Sequence, residues 1–316
     1  MKILGEHIAL GQSKTIPFNI AKLYTATNVD IPIIVERASK EGPTVLITAG
    51  IHGDEINGVE IVRQIIEKKI NKPKIGTIIC IPILNVFGFL SMSRDFPDGH
   101  DLNRVFPGSK TGSLASRVAF HFTKEILPYA DYCLDFHTGG AERYNAAQIR
   151  VTPNDFVGLK YAKIFNAPFI VMSKTMEKTY RQTALKMGIP LLLFEGGKSK
   201  SNDDDIINYG LQGTQRFLDY LEMLQDKFKI SKPQSESIII EKSSWIRAHH
   251  SGLTHSIATC NDFVKKGEIL TVITDPYGKM KLKVKSPNDG YIINVNQSPT
   301  VHQGDALFHI STLLAK

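Results

Sequence analysis

From residue 42 to residue 225 the chain alternates short β-branched runs with stretches whose apolar residues recur three and four positions apart. The first pattern is that of a buried strand and the second that of a helix with one apolar face. TVLITAG, GTIICIPIL, DYCLDFHTG, FIVMS and PLLLFEGG are the predicted strands, and helices are expected over 58–70, 114–127, 155–165, 181–187 and 205–225. Buried strands interleaved with amphipathic helices predict an α/β class with three layers, α/β/α. Residues 1–40 alternate less clearly and are placed as extra strands on the same domain. DKFKISKPQSES, residues 226–237, carries few apolar positions and reads as a linker. Beyond it, short runs broken by KKGE, DPYG, PNDG and HQGD predict a smaller all-β unit. The expected division is 1–225, a linker at 226–237, and 238–316.

The longest apolar runs, such as IICIPIL, fall far short of the roughly 20 residues a membrane helix needs, so no membrane span is expected. The opening MKILGEHIALGQSK is interrupted by polar residues where a secretory signal is continuously apolar, which makes a cytoplasmic location the expectation. Cys80, Cys133 and Cys260 are far apart, and two lie inside strand-like runs, which argues against a disulfide framework. The net charge of +7 would suit an anionic partner. The lysines, however, come in scattered pairs such as Lys68 with Lys69 and Lys265 with Lys266, not in one stripe interleaved with aromatics. Nucleic acid is therefore not an expected partner.

The chemistry concentrates in a few segments. AGIHGDEINGVEIV sets His52 and Glu55 three apart, past a buried strand and at the mouth of a helix. On a first helical turn that spacing brings an imidazole and a carboxylate to one side, where both reach a single ion. Gly50, Gly53 and Gly58 suit a tight turn with close backbone approach. Taken alone, the pair is equally compatible with capping the helix. His137 changes the balance, because it follows YCLDF and precedes two glycines at the carboxyl end of another strand, where open α/β sheets collect ligands. Two histidines and one carboxylate are the protein ligands of a hydrolytic zinc site with a position left for water. Glu195 ends PLLLF and precedes two glycines, so its carboxylate is expected at the same edge from semi-buried surroundings. Partial desolvation suits a carboxylate to proton shuttling. Pairing with Lys198 is the plain alternative.

HGDE, HDLNR, DFHTGG and FEGG occur in the order of the motifs of the succinylglutamate desuccinylase/aspartoacylase family, a branch of the zinc carboxypeptidases, which the chain resembles over most of its first domain. The resemblance implies a mixed central sheet, one zinc ion per chain held by His52, Glu55 and His137, and Glu195 as catalytic base. It further implies that Asn103 and Arg104 grip a free carboxylate of the substrate, arginine offering a two-pronged geometry. Asp101 is similar to the family's acid that orients a zinc-bound histidine, here His52. Arg94 is similar to the arginine that stabilises an oxyanion, with a surface charge as the alternative. Asp98 and His100 read as loop residues, and Arg143 and Tyr144 as candidates for the pocket wall.

The C-terminal unit resembles the biotinyl/lipoyl carrier fold, a barrel-sandwich. Lys279 in GKMK falls near the register of the modified lysine, but Gly278 stands where a flanking methionine belongs, and no modification is expected. Shaping the active-site entrance or a subunit contact is the expected role, with a homo-oligomer left open. His249, His250, His255, His302 and His309 repeat no ligand spacing and are read as surface or core residues. The expected activity is that of a zinc-dependent deacylase, an amidohydrolase acting on the non-peptide carbon–nitrogen bond of a small N-acyl amino acid or related carboxylate-bearing amide. A metallocarboxypeptidase acting on peptides or cell-wall fragments uses the same constellation, and a non-catalytic metal- or ligand-binding protein is the alternative from a different class.

Overall fold

The computed structural model describes residues 1–233 and 235–315. Gln234, inside the expected linker 226–237, and Lys316, at the end of the expected 238–316 unit, lie outside the described residues.

A small hairpin, β1 (Lys2–Ile3) with β2 (Glu6–His7), precedes two long strands, β3 (Ser13–Lys22) and β4 (Asn28–Arg37). Buried and exposed positions alternate along both long strands, as in a sheet covered on one face only. Then follow β5 (Thr44–Ala49), α1 (Ile56–Glu67), β6 (Thr77–Ile81), α2 (Val86–Ser91), α3 (Leu114–Glu125), β7 (Tyr132–Gly139) and β8 (Arg143–Val151). After these come α4 (Phe156–Phe165), β9 (Phe169–Met172), α5 (Tyr180–Lys186), β10 (Leu191–Lys198) and α6 (Asp204–Tyr220). The C-terminal part is all strand: β11 (Ile238–Arg247), β12 (Gly252–Ser256), β13 (Phe263–Val264), β14 (Ile269–Thr274), β15 (Lys281–Lys285), β16 (Gly290–Asn296), β17 (Thr300–Val301) and β18 (Ala306–Leu314).

The central sheet runs in the order β13-β16-β18-β11-β9-β8-β10-β7-β5-β6-β4-β3. β10, β7, β5 and β6 are parallel neighbours, and every residue of β5 and β6 is buried, which is why those segments read as unbroken apolar runs. β8 is antiparallel to β10 and parallel to β9, so the sheet is mixed. Ile61 of α1, Phe165 of α4 and Phe217 of α6 share one core, while Phe122 of α3 and Tyr180 of α5 share another with β3 and β4. The three predicted layers are present. α2 and β8 were not among the predicted elements. In β8, RYNAAQIRV, the buried side chains include Asn145 and Gln148, so burial does not coincide with apolarity.

The C-terminal strands enclose a core of their own, with Leu270, Ile292 and Phe308 at its centre. Four of them form a separate sheet, β15-β14-β12-β17. The remaining strands continue the central one. Ile238–Ile240 of β11 pair in parallel with β9 before the strand turns to β18, and β16 pairs with β8 through Asn294↔Asn145, Val295↔Tyr144 and Asn296↔Arg143. Lys279 is exposed in the turn between β14 and β15, which Asp275 closes by accepting from the Tyr277 and Lys279 amides. Among the described residues no helix is long and apolar enough to cross a membrane.

Candidate active site

The carboxyl ends of β5, β7 and β10 meet at one edge of the sheet. After β5 the chain turns sharply at Gly50, which has φ +60°. His52 and Glu55 lie in this turn and not on a first helical turn, because α1 begins only at Ile56 and Glu55 is its N-cap residue. The turn is held by the Glu55 amide donating to His52 O at 3.3 Å, and Glu55 makes no side-chain cap bond. Gly53 lets it sit against the start of α2: a Cβ there would lie 1.9 Å from the Gly88 carbonyl carbon, a contact no larger residue can adopt.

The turn delivers His52 and Glu55 to His137, which β7 presents from its buried carboxyl end. One ligand atom of each of the three residues lies within 4.8 Å of those of the others, and all three residues are buried. His52 Nδ1 is 2.7 Å from Glu55 Oε1, and His137 Nδ1 is 3.0 Å from Glu55 Oε2. Thr138 N donates to the same Oε2 at 3.1 Å. The far ring nitrogens have acids of their own: His52 Nε2 is 3.2 Å from Asp101 Oδ1, and His137 Nε2 is 2.8 Å from Asp135 Oδ2. Asp101 thus lies within reach of the His52 ring. Asp135 was not singled out, although DFH carries the signal, since residues two apart on a strand share a face. Thr48 Oγ1 donates to Asp135 Oδ1 at 2.7 Å and fixes the acid in turn.

Burial pulls the His52 and His137 imidazoles toward the neutral form, but Glu55 and the outer acids outweigh it and hold both above the ordinary histidine value. Burial likewise favours neutral Glu55, and the two histidines reverse that, keeping its carboxyl well below the usual range. The cluster is thus an anion flanked by two imidazoles, and an ion bound among them would displace the protons that Glu55 and the outer acids favour on the rings. Because an acid bonded to the outer nitrogen fixes the ring and raises ligand basicity, Asp135→Asn is expected to weaken metal affinity roughly 10- to 100-fold. Competition against a chelator checks this, and an unchanged affinity would remove Asp135 from the role.

Arg94 lies beside the cluster. Its guanidinium is clamped on Asp101, Nε to Oδ2 at 3.0 Å and Nη2 to Oδ2 at 2.9 Å, with Nη1 3.4 Å from Glu55 Oε1. Burial works against ionised Asp101, but His52, Arg94 and Arg104 hold its carboxyl well below the usual range. Asn103 Oδ1 accepts from Tyr180 N at 2.9 Å, which fixes the other end of that amide as the donor. Arg104 is exposed, with Nη1 on Asn103 O at 2.8 Å. Asp98 and His100 lie in the loop as expected, Asp98 accepting from the Ala115 amide at the start of α3.

Glu195 is the parallel-strand partner of His137, so the two residues rise side by side from the sheet. Its side chain is half-buried, at 18% exposure, and its neighbours are polar and charged. Arg150 Nε is 3.0 Å from Oε1, and Asn145 Nδ2 donates to Oε2 at 2.5 Å. Both come from β8, the strand the hydrophobic pattern did not disclose. Lys198 pairs with Glu142 at 2.6 Å and not with Glu195.

These groups line one cavity of about 610 Å³, walled on another side by Trp245 and Asn294 from the C-terminal strands. Trp245 stacks on His309 at 4.4 Å between ring centroids. Burial, with Arg150 nearby, pushes the His309 imidazole down to about 3. No second metal-ligand group involving the C-terminal histidines occurs among the described residues. Arg143 reaches the cavity wall, whereas Tyr144 turns its hydroxyl to Asp203. Arg143, Lys174 and Arg181 line the cavity in no ion pair among the described residues, which leaves it with a surplus of cations.

Comparison with known proteins agrees with this geometry. Residues 41–221 match the model of the succinylglutamate desuccinylase/aspartoacylase catalytic domain. The N-alpha-acetyl-L-2,4-diaminobutyric acid deacetylase of Halomonas elongata is 25% identical over 297 residues, covering 90% of this chain and 86% of the other. The product-bound ectoine utilization protein EutE (DoeB) of Ruegeria pomeroyi superposes with a TM-score of 0.83 at 22% identity, over 96% of this chain and 95% of the other. A succinylglutamate desuccinylase/aspartoacylase from Rhodobacter sphaeroides gives a TM-score of 0.82 at 23% identity, over 95% and 96%. The match of more than half of the chain to the catalytic-domain model, together with a fold shared over nearly its whole length, shows that the chain belongs to the succinylglutamate desuccinylase/aspartoacylase family.

Proposed function

We propose that the chain is a zinc-dependent deacylase that hydrolyses the amide bond of a small N-acyl amino acid. The observation that carries this reading is the buried His52–Glu55–His137 group, its outer nitrogens anchored on acids, facing Glu195 in one cation-rich cavity. The donor set fits zinc: two imidazole nitrogens and one carboxylate are what a catalytic site offers that ion. When bound there, the ion supplies Lewis acidity that activates water and polarises a carbonyl.

The chain's own residues do the rest. Glu195, held by Arg150 and Asn145, takes a proton from the attacking water and returns it to the leaving nitrogen. Arg94, fixed by Asp101 beside the metal ligands, offers N–H donors to the charge that builds on the scissile carbonyl oxygen. Asn103 and Arg104 hold the free carboxylate of the substrate, and the unpaired cations around the cavity add to the attraction for an anion. A cavity of about 610 Å³ lies in the ordinary range of sites for small ligands. The Halomonas relative, named for removing an acetyl group from an amino acid, supports the same class.

A panel of N-acetyl and N-succinyl amino acids set beside dipeptides and tripeptides tests it on the metal-loaded protein. Cleavage of the acyl amino acids with peptides left intact is expected. Preferential release of C-terminal residues from the peptides would overturn the assignment in favour of a carboxypeptidase.

A further inference from the structure

We propose that Asn294, on a C-terminal strand, is a positioning residue for Glu195 and acts through Asn145. The proposal rests on the reading of Glu195 as proton carrier. β16 lies against β8 with Asn294 directly opposite Asn145, and both are buried, at 2% and 4% exposure. Asn294 Nδ2 donates to Asn145 Oδ1 at 2.6 Å, and Asn145 Nδ2 donates to Glu195 Oε2 at 2.5 Å. The order of donors is forced. An ionised carboxylate only accepts, so Asn145 must turn its NH2 group to Glu195, which leaves its oxygen facing Asn294. Asn294 must then donate as well, since flipping either amide brings two oxygens into contact.

The orientation carries a cost. Asn294 Oδ1 is buried without a hydrogen-bond partner among the described residues. An apolar side chain of similar size would remove that atom but leave Asn145 Oδ1 buried without a donor, so the amide at this position is tied to the orientation of Asn145. The arrangement makes sense as a device that stops the Asn145 amide from rotating and so holds one carboxylate oxygen of Glu195 in a single place, with the Arg150 guanidinium paired beside it and its Nη2 donating to the same Oε2 at 3.4 Å. The C-terminal strands then complete the apparatus around the proposed base, a role beyond shaping the entrance.

The test uses the full, metal-loaded chain and an N-acetyl amino acid that the wild type cleaves. Asn294→Leu, which removes the donor, is expected to lower kcat roughly 10- to 100-fold with KM within about twofold and metal content unchanged, as misplacement of a reacting group does. In an Asn145→Ala background the same change is expected to alter kcat by less than about twofold, since the link is already cut. Asn294→Asp keeps the size and sets an oxygen against Asn145 Oδ1. It is expected to lose at least as much turnover, and it carries the test should the leucine variant not fold. Full kcat in both Asn294 variants beside a dead Glu195→Gln protein would overturn the relay alone, as would additive losses from Asn294→Leu and Asn145→Ala. Full turnover by Glu195→Gln would instead overturn the assignment of the base, and the relay with it.

Discussion

A Glu195→Gln protein is expected to keep its metal and to hydrolyse an N-acyl amino acid roughly 10²- to 10⁴-fold more slowly than the wild type, the span that a positioned general base contributes. The substitution removes the proton-accepting carboxylate while keeping its size. Glutamine has the size of glutamate, and its carbonyl can still accept from Asn145 Nδ2. Glu195 belongs to no part of the His52–Glu55–His137 group, so metal content is expected to stay at the wild-type level. Arg150 loses the charge on its partner and, with the glutamine carbonyl turned to Asn145, faces an NH2 group, so the midpoint of unfolding is expected to fall while the fold is kept. The measurement is kcat alongside metal analysis of the same preparation. Undiminished turnover with the metal in place would show that another group moves the proton.

His137→Ala is expected to abolish both metal retention and turnover. Only His52 and Glu55 would remain of the three proposed ligands, one fewer than the three protein ligands of a catalytic zinc site. The same change removes the imidazole lying between two buried acids, Glu55 Oε2 at 3.0 Å and Asp135 Oδ2 at 2.8 Å. Leaving such charges uncompensated typically costs about 3–5 kcal/mol, so the midpoint of urea unfolding is expected to fall as well. Metal stoichiometry after dialysis decides the matter. A variant that still carried one ion per chain would mean that His137 is not a ligand.

His52, His137 and Glu195 were legible in the sequence because each stands at the end of a continuously apolar run, and such a run announces where the carboxyl end of a strand lies. His52 after TVLITAG, His137 at the end of YCLDF and Glu195 after PLLLF all obey that logic. The helical spacing argument for His52 and Glu55 reached the right pair by the wrong geometry. What joins them is a turn shaped by Gly50 and Gly53, and turn geometry is set by contacts with α2 that periodicity does not express. The surroundings of Glu195 were harder to foresee. Asn145 and Arg150 sit on a strand whose buried face is partly polar because it serves the site, so the feature that makes β8 useful also conceals it from a hydrophobic pattern. Asn294 was further out of reach, since its place depends on a pairing with Asn145, on a strand 149 residues away along the chain.

That pairing has a mechanical consequence. Because β11 is laddered to β9 and β16 to β8, the seam between the catalytic α/β layers and the C-terminal barrel is a run of backbone hydrogen bonds and not a surface that can slide. The two halves cannot swing apart like jaws to admit a ligand. Exposed side chains such as Arg104, Arg143 and Lys174 line the cavity, and their rotation needs no rearrangement of the frame behind them.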